Sequence, residues 1–67
     1  MTNTEMLISF VPGLTDEELR KARELFGDVR KQIIYKKGHK TEQEVRIATN
    51  AGLVLIALAK EIEKRAH

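Results

Sequence analysis

The chain has 67 residues, no cysteine, 12 basic and 10 acidic side chains, and a net charge of +2. That length admits one domain, and a chain so short buries too little surface to be more than marginally stable alone. Disulfides and thiolate metal sites are excluded, the histidines His39 and His67 are too few and too far apart for a zinc site, and a partner subunit is the remaining staple.

In chain order, residues 1–14 read as an extended arm. The run Met6–Val11 is apolar, carries β-branched residues and is short for a helix. Pro12-Gly13 fits the centre of a type II turn, where Pro sets φ and Gly supplies a positive φ. A first helix follows at about 16–36, within a segment 15–37. Thr15 is its N-cap, Glu18 completes a capping box, and Leu14 and Leu19 occupy the staple positions. Gly27 marks a bend, a close contact or a tolerated glycine. Gly38 is placed to stop the helix. A second helix spans about 42–65, within a segment 41–66, opened by the capping box Thr41/Glu44. The short connection makes the two helices antiparallel neighbours. The expected fold is all-α: one domain over 1–67, a helical hairpin with an extended N-terminal arm.

In the first helix Leu19, Ala22, Phe26, Val29 and Ile33 form one stripe at steps of three and four. In the second, Val45, Ala48, Gly52, Leu55, Ala59, Ile62 and Ala66 do the same, and these stripes are expected to pack together. A further face holds Ile47, Ala51, Val54 and Leu58, with Leu53 and Ile56 continuing around the back. A helix that is apolar all round must be covered on most sides. The expectation is a homodimer, a four-helix arrangement with Ile47, Ala51, Val54, Leu55 and Leu58 at its interface.

Charge is uneven along the chain. Arg30, Lys31, Lys36, Lys37, Lys40 and Arg46 outnumber Glu42 and Glu44 over residues 29–46, whereas acids dominate before them. Tyr35 lies beside this basic turn. Tyr35, Arg30, Lys31, Ile34 and Lys36 form the candidate partner-binding set, since Tyr combines an apolar body with a polar tip. The competing reading packs Ile34 and Tyr35 against the arm or the second protomer. No nucleophile–base pair, phosphate loop or cofactor motif is legible, so no enzymatic activity and no cofactor are expected. The nine-residue apolar run Ala51–Ala59 falls short of the roughly 20 residues a membrane span needs. No signal peptide is read, and the expected location is the cytoplasm.

Three binding roles remain, one of them a purely structural module such as an assembly adaptor, which the sequence does not separate from a protein-binding regulator. An arm that is a strand, two helices and a dimer give the outline of a ribbon-helix-helix DNA-binding repressor. Its ribbon would present Glu5, Leu7, Ser9 and Val11, or Met6, Ile8 and Phe10, and neither set donates hydrogen bonds to bases. A protein-binding regulator fits better. The acidic-capped helix start Thr15-Asp16-Glu17-Glu18-Leu19, the turn Tyr35-Lys36-Lys37-Gly38 and the alanine-rich stretch Ala51–Ala59 resemble the phage-encoded quorum-sensing anti-activator family. The resemblance implies a dimer of helical hairpins that binds a host transcription activator and turns it off. It also implies, from at least one member, inhibition of the ATPase that drives pilus assembly. It assigns no contact residues.

Overall fold

The computed structural model describes residues 2–66; His67 lies outside them. Three α-helices run in order, α1 (Asn3–Phe10), α2 (Asp16–Ile34) and α3 (Glu42–Ala66), with a 3₁₀ turn over Val11–Gly13 between the first two. No strand occurs among the described residues.

The expected extended arm is therefore a helix. Thr2 caps it, its hydroxyl accepting from the Glu5 N–H at 3.1 Å. Thr4, Ile8 and Val11 then recur at four and three residues, so one edge of α1 faces inward. Pro12 suits the 3₁₀ turn because its missing N–H is not needed at a first helical position. Among the described residues Gly38 alone has a positive φ, at 94°, so Gly13 does not make the type II turn.

Both capping boxes form. The Glu18 N–H donates to the Thr15 hydroxyl at 3.1 Å, and the Thr15 N–H donates to the Glu18 carboxylate at 2.9 Å. Thr41 and Glu44 repeat the pattern at 3.0 and 3.1 Å. The N-terminal helix of the hairpin ends at Ile34, two residues before the expected stop, with Tyr35 as C-cap. Gly38 takes its left-handed conformation inside the connection rather than directly after the helix.

Helices α2 and α3 are antiparallel, clasped at both ends. At the turn the Lys36 ammonium reaches both Glu44 oxygens, at 2.9 and 2.8 Å. At the far end the Arg65 guanidinium donates to Asp16 at 2.9 Å, to Glu61 at 2.9 Å and to the Pro12 carbonyl at 3.1 Å. Helix α1 runs parallel to α3, with Thr4 and Leu7 near Ile47–Val54 and Ile8 and Val11 near Ala57–Lys64.

The core is small. Val11, Leu19, Val54 and Leu58 form its centre, and Ile8, Leu14, Ala22, Phe26, Leu55, Ala57 and Ile62 pack around it. The stripe expected on α2 faces inward throughout. On α3 the buried direction is turned toward Ala51, Val54 and Leu58, because α1 covers that side. Ala51, Val54 and Leu58 are thus enclosed within one chain and Leu55 is half-buried. Of the expected dimer-interface residues only Ile47 stays well exposed, so that set does not form a surface of the single chain.

Candidate protein-interaction site

The molecule measures 42 × 25 × 15 Å, and its α2/α3 hairpin is one layer of helices. A helix with its side chains is about 10–12 Å across, so a single layer leaves both broad sides of the hairpin in need of cover. Helix α1 lies on one side. The other side is open.

On the open side a groove follows the α2/α3 seam. Arg30 and Ile34 line it from α2, and Ala48, Thr49, Gly52, Leu53 and Ile56 from α3. Val45, Thr49, Gly52, Ile56 and Ala59 recur at four, three, four and three residues, the spacing of a helix-packing stripe. This stripe points away from the core. Leu53 and Ile56 are 47% and 54% exposed, well beyond what a core residue keeps. Towards the Arg65 end a second cleft between the same helices takes in Arg20, Arg23 and Ile62.

At Gly52 the Arg30 side chain comes into contact with α3. A Cβ at that position would stand 3.5 Å from the Arg30 Nε. The arginine stem therefore crosses the backbone of α3 at its smallest residue. Arg23 sits two turns before Arg30 on the same side of α2. Among the described residues neither takes part in an ion pair; the bases that do are Lys21, Lys36, Arg46 and Arg65.

The expected partner-binding residues separate into three groups. Arg30 and Ile34 meet in the groove. Tyr35 is adjacent at the helix end and 77% exposed, so it does not pack against α1. Lys31 is turned to the outer side of α2 with Glu24 and Asp28, and Lys36 is engaged by Glu44. The signal for the α3 half of the groove was present as the outward 4-3-4-3 stripe. Its reading depends on knowing which side of α3 another helix covers.

Two carboxylates near the hairpin ends are electrostatically tuned. Glu44 is held down at about 2, first by the Lys36 hydrogen bond and then by the Thr41 backbone N–H. Glu18 is lowered by the Thr15 backbone N–H and hydroxyl. Both shifts belong to caps and clasps that fix the hairpin. Among the described residues no group of three or more His, Asp or Glu is placed to hold a metal, and no helix is long and apolar enough to cross a membrane. The arrangement offers apolar contact and guanidinium hydrogen bonds, which is the chemistry of protein recognition. No family model matches this chain, and neither a curated protein nor a solved structure matches it at a significant level.

Proposed function

We propose that this chain is a small dimeric regulator that acts by binding another protein in the cytoplasm. In the narrower form of the proposal it is a phage-encoded inhibitor of a host quorum-sensing transcription activator, with a pilus-assembly ATPase as a second target. The narrower form rests on the resemblance of its helix start, basic turn and alanine-rich helix to the anti-activators. The broader form is supported by one observation: Ile34, Leu53 and Ile56 line an exposed groove beside Arg30. Adjoining exposed apolar side chains rimmed by polar ones mark an interaction site.

The dimer belongs on the opposite face in this proposal. There Ile47 lies beside Leu7, with Met6 and Phe10 exposed on α1 and Leu25 on the same side of α2 as Val29. Sedimentation equilibrium tests it. The expected mass is twice the 7.6 kDa of one chain, reduced to one chain by Ile47→Glu or Leu7→Glu. A single-chain mass at all concentrations would remove the dimer. For the target, co-purification with the host activator should succeed with the wild-type chain and fail with Ile34→Glu. The ribbon-helix-helix reading loses its basis, because the segment that would supply the ribbon is helical.

A further inference from the structure

We propose that the groove between α2 and α3 receives an amphipathic helix of the target protein that carries carboxylates along one flank. This rests on the reading of the chain as a protein-binding regulator and names the element it binds.

The groove has the dimensions for a helix. From Ala48 to Ile56 its α3 wall is eight residue steps, about 12 Å of helix axis and about two turns. Its floor is built from Ala48, Thr49 and Gly52, with the Arg30 stem lying over Gly52, and its apolar contacts come from Ile34, Leu53 and Ile56. Helices pack with axes about 8–10 Å apart when small residues face the contact.

The charge on the rim selects the occupant. Arg30 lines the groove, and Arg23 follows it along α2 in the next cleft of the same seam, near Asp16, Glu24 and Asp28; neither arginine has an ion-pair partner among the described residues. Lys60 lies on the α1 side with Ile8 and Val11, and the α3 stripe carries no base between Val45 and Ala59. The acids on that stripe stand at its two ends: Glu63, and Glu42, which is engaged by Arg46 at 3.3 Å. A second copy of this chain meeting the groove about a two-fold axis would set like charges against one another. A helix with acidic side chains on one flank meets them with the opposite sign, and guanidinium groups bind carboxylates in paired hydrogen bonds. Arg30 is suited to this because its stem is seated across Gly52.

Two synthetic helical peptides provide the probe, both with a leucine seam, one flanked by glutamates and the other by lysines. Each is titrated into the isotope-labelled full chain and followed by backbone NMR. The glutamate peptide is expected to shift the signals of Ile34, Gly52, Leu53 and Ile56. It should bind about tenfold more tightly than the lysine peptide, the sum of a few exposed ion pairs. Arg23→Gln/Arg30→Gln should remove most of that difference while the circular dichroism spectrum stays helical. Equal binding of the two peptides, shifts confined to the α1 face, or groove signals that move when the protein alone is concentrated would each overturn the proposal. The last of these would assign the groove to a second copy. If the peptides fail but the host activator still co-purifies with the wild-type chain, the groove assignment falls and the regulator reading stands. If the glutamate peptide binds and no activator is captured, the named target falls instead.

Discussion

Leu58 and Leu19 are each 1% exposed, and they join α3 to α2 at the centre of the molecule. Truncating a buried leucine costs about 2–5 kcal/mol through lost transfer energy and the cavity left behind. A domain this small has little stability in reserve, so Leu58→Ala should leave a largely unfolded chain by circular dichroism at 25 °C. The glycines in the helices act in the other direction. Nothing stands within 4 Å of a Cβ at Gly27, and at Gly52 the nearest atom is at ordinary contact distance. Gly27→Ala should therefore stabilise the fold by about 0.5–1 kcal/mol, read as a raised denaturant midpoint with unchanged slope. Gly52→Ala should stabilise the free chain similarly, yet weaken binding of the glutamate peptide by crowding the groove floor. Tyr35→Ala should leave the melting temperature unchanged, because the ring is 77% exposed, and should reduce target binding if the groove's turn end takes part. A Tyr35→Ala chain that unfolds would make the ring a structural element and remove it from the site.

Among the elements, the two capping boxes were fully legible in the sequence because Thr15/Glu18 and Thr41/Glu44 are local patterns that need no tertiary context. Helix α1 was not. Met6–Val11 contains several apolar residues in a row, which a strand and a short helix share. The distinguishing marks were Thr2 three residues before Glu5 and the 4-3 recurrence of Thr4, Ile8 and Val11. Missing α1 turned the expected buried side of α3: Ala51, Val54 and Leu58 were assigned to a second protomer, whereas α1 covers them in the same chain. The same error hid the groove, whose stripe is recognisable only once α1 marks the opposite side as filled. Helix α1 has no fully buried residue, so its amides should exchange with solvent faster than those at the centres of α2 and α3. The hairpin clasp has its own signature in acid. Glu44 ordinarily titrates near 4.5 and in the fold near 2, so its charged form stabilises the fold above pH 4.5 and that contribution fades as pH falls from 4.5 to 2. The difference in melting temperature between wild type and Glu44→Gln should be constant at neutral pH and shrink toward pH 2. A difference that persists undiminished at pH 2 would mean the Lys36 clasp does not act through charge.

For the molecule as a whole, thickness is the governing quantity. A body 15 Å thick built around five buried side chains has two broad sides and little interior. Met6, Leu7, Phe10, Leu25 and Ile47 are exposed in part, as are Val45, Leu53 and Ile56. Covering either side buries further apolar surface, so association and folding are thermodynamically linked. Thermal stability should rise with protein concentration if copies associate, and rise further on adding the target. The clasp of Lys36 on Glu44 has a further kinetic consequence. It holds the end of α2 and the start of α3 together before any visitor arrives, so the mouth of the groove needs no ordering on encounter. Capture should then proceed in a single exponential phase whose rate grows linearly with ligand concentration, without the plateau that a slow opening step imposes.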